Sequence, residues 1–244
     1  DIFEVFLKCY ETALGSDWVP HLLDLGSAGT GGLHCQRASA PPLTLAQSSQ
    51  GSALTPTGVP LVVAKGIADE LEGGRDVFRI DADAFLLQNP LREMRDRYSN
   101  AHIISSLDCA HSTTPEYCGW YVDEVFKERH GDKDPLAELG FMLNTGFVYF
   151  RSSPETIKLA RDTEQAVRTG VSSFEQTALN EELARRHCAW STQHGPLQPG
   201  EARRLVFAEV FFGECDGGLR VVVLPYSVVT RTEHDAAGKL AFHP

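Results

Sequence analysis

Two aspartates one residue apart, Asp81 and Asp83, carry the clearest chemical signal in this 244-residue chain. They lie in residues 75–91, RDVFRIDADAFLLQNPL. The run over 76–80 reads as a short strand bounded by the turn formers Gly73-Gly74 and Asn89-Pro90. Carboxylates at i and i+2 of an extended segment fall on the same side. At a strand end, beyond the ladder, such a pair can hold a hard divalent cation. The cation can in turn neutralise a diphosphate, so the chemistry indicated is that of a nucleotide-linked substrate. Taken alone, Asp-x-Asp is also what an acidic strand end or turn looks like, and its surroundings must decide.

The elements that would present these acids follow from the pattern of the chain. Residues 61–71 read as a helix ending at Gly73-Gly74, where a left-handed cap favours glycine. Residues 102–108, HIISSLD, read as a second strand ending in an acid, Asp108. Residues 141–150, FMLNTGFVYF, hold two strands' worth of aromatic and β-branched residues split at Thr145-Gly146. Ser153 followed by Pro154 reads as the cap and first turn of a helix to about Thr169, and residues 174–186 begin another. Apolar spacing predicts a helix over 2–14, a buried strand over 21–26, a short helix over 120–129 and strands over 204–212 and 219–224. A polar loop is expected over 130–135. Residues 27–58, rich in Ser, Thr, Gly, Ala and Pro, read as a loop or insertion. Strands alternating with helices predict an α/β sandwich with a largely parallel central sheet. Ligands of such sheets bind beyond the carboxyl ends of the strands, and Asp24, Asp81, Asp83 and Asp108 all fall at such ends.

Composition sets the outer limits. The length suits one domain over 1–244, with 42% hydrophobic and 23% charged residues. Twenty-two basic residues against 33 acidic ones give a formal charge of -11, which argues against binding a nucleic-acid backbone. No apolar run approaches the roughly 18 residues of a membrane span, so no membrane contact is expected from this segment. The chain begins at Asp1 rather than Met, which reads as a trimmed chain with room upstream for an anchor or targeting segment. None of its six cysteines forms a CxxC pair, which disfavours a zinc site. Cys109 and Cys118 are close enough for a disulfide across a loop, in keeping with an oxidising lumen. Free thiols buried as small apolar groups are the other reading.

Three ordered blocks, DVFRIDADAFLLQNPL, FMLNTGFVYFRSSPETIKL and EQTALNEEL, resemble those of the nucleotide-diphospho-sugar transferases. The nearest likeness is to the plant and algal group that includes extensin arabinosyltransferases and rhamnogalacturonan xylosyltransferases. The resemblance covers residues 59–190 well and the two ends loosely. It implies the GT-A fold, a Rossmann-like three-layer sandwich. It also implies transfer of a sugar from a nucleotide diphosphate sugar to a hydroxyl of a glycan or glycoprotein, with Mn²⁺ or Mg²⁺, in the Golgi lumen.

The same resemblance implies roles for individual residues. Asp81, Ala82 and Asp83 match the metal and donor motif, and His243 falls where a late third ligand occurs, or is simply solvated near the chain end. A histidine ligand would favour Mn²⁺. Lys65 matches a basic position that faces the donor, or is a solvated helix charge. Asp108 matches an acid that holds donor-sugar hydroxyls, or is a cap. Asn144, Thr145 and Gly146 are expected to line the site, with Gly146 allowing close backbone approach; Asn144 is alternatively a turn cap. Glu175 and Gln176 stand where the family has Asp-Gln near the reacting carbon. Gln176 is a poor nucleophile and is expected to orient the sugar or stabilise its developing positive charge. Glu175 is alternatively an acidic first helical turn. The apolar strand with which the family opens is matched here only by residues 19–26. A non-catalytic relative is therefore the rival reading. A two-metal phosphohydrolase would need a closer cluster of Asp and His than the sequence shows.

Overall fold

The computed structural model describes residues 18–22, 33–37, 58–81, 84–110, 139–172, 174–197, 202–230 and 239–242. The expected helices over 2–14 and 120–129 and the polar loop over 130–135 lie outside them, as does Asp24. The strands of the main sheet are β1 (Trp18–Leu22), β2 (Leu33–Arg37), β3 (Val77–Ile80), β5 (Ile103–Ala110), β6 (Phe141–Phe150), β7 (Ala189–Thr192), β8 (Gly195–Pro196), β9 (Phe211–Glu214) and β10 (Arg220–Leu224). A three-stranded sheet is built from β4 (Phe85–Leu86), β11 (Val229–Thr230) and β12 (Ala241–Phe242). The helices are α1 (Gly58–Glu72), α2 (Pro90–Arg97), α3 (Pro154–Arg168), α4 (Glu175–Ala184) and α5 (Ala202–Leu205). None is long and apolar enough to cross a membrane.

Period-two alternation along the strands divides the core in two. Val77, Ile103, Leu107 and Val148 face α1, α3 and α4, meeting Val63, Ile67, Leu159 and Leu179. Phe78, Ile80, Ile104 and Phe147 face the other way, onto Leu91 and Met94 of α2 and onto Leu86 and Ala241 of the small sheet. The sheet is thus the middle of three layers. Its strand order is β1-β2-β3-β6-β5-β10-β9-β7-β8.

The expectation of a largely parallel sheet is corrected here. Only β5 and β10 pair in parallel, and every other neighbouring pair in this sheet is antiparallel. At the centre of the sheet the cause is β6, which inserts between β3 and β5 and runs against both. Because β3, β5 and β10 still share one direction, their carboxyl ends meet at one end of the sheet. The start of β6 arrives at that same end. This places Asp81, Asp108 and Asn144 as neighbours although 63 positions separate the first from the last in the chain.

Other expectations need smaller corrections. Residues 141–150 form one strand rather than two, paired with β5 from end to end and with β3 over Phe147–Phe150. The segment expected as loop over 27–58 contains β2, and its last residue, Gly58, begins α1. Of the run expected as a strand over 204–212, the first part closes the short helix α5 and only Phe211 onward is extended. Asn89-Pro90, read as a turn, starts α2: the Asn89 side chain accepts from the Leu91 N–H and Pro90 occupies the first turn. The helix over 61–71 is borne out as α1, stopped by Gly74 at φ 76. Ser153 and Thr156 form the expected N-terminal cap of α3.

Candidate active site

Two irregularities in the β5–β6 ladder create the site. Ser105 pairs with Val148 but Ser106 pairs with Asn144, so residues 145–147 are extra on β6. Leu107 pairs with Leu143 and Cys109 with Met142, so Asp108 is extra on β5. Bulged residues leave the ladder and re-aim their side chains, which is why such bulges recur beside active sites. Asn144 stabilises the β6 bulge from within: its Oδ1 accepts the Gly146 N–H at 2.6 Å. Its backbone carbonyl accepts the Ser105 hydroxyl at 2.8 Å. The Gly146 carbonyl accepts the Asp81 N–H at 2.9 Å, which ties the end of β3 to the bulge.

Asp108 is the hub of the polar network. Its Oδ1 accepts from the Asn144 amide at 2.9 Å and its Oδ2 from the Gln176 amide at 3.1 Å. Its backbone carbonyl accepts the Tyr226 hydroxyl at 2.9 Å. The Gln176 oxygen accepts the Thr145 N–H at 2.8 Å and the Thr145 hydroxyl at 3.2 Å. A carboxylate only accepts and a peptide N–H only donates, so these partners fix which way the Gln176 amide faces. Asn180, one turn after Gln176 on α4 and fully buried, clamps the helix to β6. Its Oδ1 accepts the Leu143 N–H at 2.8 Å, and its Nδ2 donates to the Leu143 carbonyl at 3.0 Å. The same Nδ2 lies 2.8 Å from the Gln176 carbonyl.

A second cluster adjoins the first through Glu175. Arg79, on β3, points into the side of the sheet covered by α1, α3 and α4, and its side chain is only 7% exposed. Its Nη2 lies 2.9 Å from Asp81 Oδ1 and 2.9 Å from Glu175 Oε1. Glu175, in the first turn of α4, is therefore turned inward onto a guanidinium. A cavity of about 20 Å³ lies behind it, lined by Ala64, Ile67, Thr145, Thr163, Glu175 and Leu179. That is room for roughly one water and too little for a sugar.

The structure thus gathers Asp81, Asp108, Asn144, Thr145, Gly146, Glu175 and Gln176. It does not bring Lys65 to them. The buried stripe of α1 is Val63, Ala64, Ile67, Ala68 and Leu71, and Lys65 falls off it onto the exposed flank, where it pairs with Asp69. Ala82, Asp83 and His243 lie outside the described residues. Among the described residues, no group of three or more His, Cys, Asp or Glu could hold a metal ion. Asp81, an oxygen donor at the strand end, suits one position around a hard cation.

Arg79, Asn180 and Tyr226 belong to the arrangement but carry no obvious flag in the sequence. Arg79 could have been noticed as a charge at an inward position of an alternating strand, and Asn180 as a polar residue at i+4 from Gln176.

The cysteines also resolve in part. Cys188 and Cys215 form a disulfide across 27 positions. Cys109 is disulfide-bonded as well; the expected partner, Cys118, lies outside the described residues.

A family model described as nucleotide-diphospho-sugar transferase matches residues 64–241, more than half of the chain. No curated protein and no solved structure matches it.

Proposed function

The chain belongs to the nucleotide-diphospho-sugar transferase family, and from that premise we propose that its site transfers a sugar from a nucleotide diphosphate sugar to a hydroxyl group. The observation that carries this reading is the convergence of Asp81, Asp108, Asn144 and Gln176 at one end of the sheet. Two irregularities in the β5–β6 ladder bring that convergence about.

In this reading Asp108 receives hydroxyls of the donor sugar. Asn144 and Gln176 hold its carboxylate in place, so little reorganisation is needed when the sugar binds. Gln176, whose oxygen is already committed to Thr145, orients Asp108 and lines the reacting face. Asp81, with Asp83 and His243 as the further ligands indicated by the sequence, would hold Mn²⁺ or Mg²⁺. That ion would stabilise charge on the departing diphosphate. Asp81 and Glu175 share one guanidinium and the Asp108 carboxylate is held by neutral amides, a balance that suits a cation-assisted diphosphate better than a naked one.

The stereochemical course proposed is retention. The bond from the sugar carbon to the diphosphate breaks, and the acceptor oxygen bonds to that carbon on the same face. The acceptor proton passes to the departing phosphate oxygen. The acceptors we propose are cell-wall polysaccharides or hydroxyproline-rich glycoproteins, from the likeness to the plant and algal transferases. The disulfides favour an oxidising compartment such as the Golgi lumen.

The test is release of nucleotide diphosphate from a panel of nucleotide sugars with Mn²⁺, comparing the parent with Asp108→Asn and Asp83→Ala. Release by the parent, lost in both variants at unchanged melting temperature, is expected. A parent that neither binds nor cleaves any donor with metal present overturns the reading and leaves a non-catalytic binding protein.

A further inference from the structure

We propose that Glu175 and Arg79 form a positioning pair that governs how tightly Asp81 is held, a role resting on the donor-site reading above. The argument starts from strand periodicity. Val77 and Arg79 share the face of β3 that meets the apolar core under α1, α3 and α4. A charge at that position is costly unless it is paired. Arg79 pairs in an unusual way. Buried arginines in ion pairs tend to present two nitrogens to one carboxylate. Here a single nitrogen, Nη2, serves two carboxylates from different elements, Asp81 at the end of β3 and Glu175 at the start of α4. Nε and Nη1 are buried and make no hydrogen bond among the described residues.

That division has a consequence for Asp81. Glu175 draws on the same nitrogen and competes for the guanidinium charge. With Glu175 neutral, the full charge and the two unused donors of Arg79 would fall to Asp81. A guanidinium gripping Asp81 more closely opposes any cation that Asp81 is to ligate, because like charges in a partly buried site repel strongly. The inward-facing Glu175 therefore acts through Arg79 and does not meet the sugar. The extra methylene of glutamate supplies the reach from the first turn of α4 to β3.

The experiment is Mn²⁺ titration with UDP present, following the paramagnetic resonance signal of free Mn²⁺, with circular dichroism and melting temperature as controls for folding. The parent is compared with Glu175→Gln, with the double variant Glu175→Gln/Arg79→Met, and with Glu175→Asp. Glu175→Gln is expected to weaken Mn²⁺ binding about 10- to 100-fold, the range typical of groups that orient a metal ligand. The double variant, with both buried charges gone, is expected to recover affinity close to the parent, which a merely structural role would not produce. Should Glu175→Gln fail to fold, Glu175→Asp keeps the charge but withdraws it from Arg79 and is expected to weaken binding as well. Parent-like affinity in the folded single variants, or a double variant as weak as Glu175→Gln, overturns the pair alone. A parent that binds neither Mn²⁺ nor UDP overturns the donor-site reading and this proposal together.

Discussion

The side-chain amide of Gln176 donates to Asp108 Oδ2 at 3.1 Å, joining the first turn of α4 to a bulged residue of β5. The two positions are 68 apart in sequence, and each side chain has a second partner on β6 that orients it, Asn144 for Asp108 and Thr145 for Gln176. The bond makes α4 part of the site rather than a cover over it.

Replacing Gln176 by Glu keeps the shape and removes the donor. Two carboxylates would then face each other where an amide and a carboxylate did. Asp108 would be pushed from its place, and misplacement of about 1 Å at a reacting centre costs about 100-fold in rate. Donor turnover is expected to fall by that order while circular dichroism stays unchanged. Turnover within a few-fold of the parent would show that Asp108 is held by Asn144 alone.

Asn180→Leu tests how α4 is fixed to β6. The substitution leaves the Leu143 N–H and carbonyl without their partner inside the core. Each buried polar group so stranded costs about 1–3 kcal/mol, so a loss of about 2–6 kcal/mol is expected in urea unfolding. Asn180→Asp keeps the acceptor but loses the donor and adds a buried charge, and is expected to be no better. Stability within about 0.5 kcal/mol of the parent would contradict the clamp.

How much of this was legible beforehand depended on range. α1, α3 and α4 were readable because their signals are local: periodic apolar residues, the Ser153 cap and the glycines after Glu72. The direction of β6 was not, because nothing in FMLNTGFVYF states which strands will flank it. Its apolar run suits a strand buried on both faces, parallel or antiparallel. Asp81, Asp108, Asn144 and Gln176 were visible as residue types in ordered blocks. The bulges that bring them together are register defects between β5 and β6, set by pairing across more than 30 positions, and no single segment encodes them. Lys65 illustrates the converse, since its sequence position suggested the donor while the stripe of α1 turns it to solvent.

The Cys188–Cys215 bond closes a loop across 27 positions, from the residue before β7 to the residue after β9. Loop-closure entropy alone assigns such a cross-link roughly 3–4 kcal/mol. Cys188→Ser/Cys215→Ser is expected to lose stability of that order in denaturant titration under non-reducing conditions. An unchanged midpoint would show that the bond adds nothing that β7, β9 and their packing do not already supply.

Arg161 links α3 to α1. Its Nε donates to Glu72 at 2.7 Å, its Nη2 to Asp69 at 2.7 Å and its Nη1 to Glu164 at 2.5 Å. Burial pushes the Asp69 and Glu164 carboxyls up, but Lys65 and Arg161 on the first and Arg168 and Arg161 on the second pull both below their usual values. For groups with a depressed folded pKa, the stabilisation is present above the ordinary carboxylate value and is lost as pH falls through the folded one. Arg161→Met is expected to lower the melting temperature by about 2–4 °C at pH 7, given partly exposed partners. The gap between variant and parent should close as the carboxylates protonate in acid. A gap that persists there would assign the effect to packing of the arginine stem instead.

His102 lies at the opposite end of the sheet from the candidate site and gives a pH dependence of its own. Its Nδ1 accepts the Arg220 backbone N–H at 3.1 Å, and its Nε2 lies 3.1 Å from Arg220 Nη2. A neutral imidazole has one accepting nitrogen and an imidazolium has none, so protonation loses this partner. Burial first, then the Arg220 and Arg151 charges, hold the His102 pKa below its usual value, against an upward pull from Glu155. The unfolded chain therefore takes up the proton first as pH falls. The stabilising contribution is complete above about pH 6.5 and declines as pH drops through the lower folded pKa. In thermal melts between pH 7.5 and 5, His102→Gln, which keeps an accepting oxygen and does not titrate, is expected to lose less stability than the parent. Donor turnover at neutral pH is expected to stay the same, since His102 and Arg220 stand at the start of β5 and β10, away from the end that carries Asp108. Equal pH slopes in the two proteins would mean that His102 titrates alike in the folded and unfolded chain, and that its contact with Arg220 survives protonation.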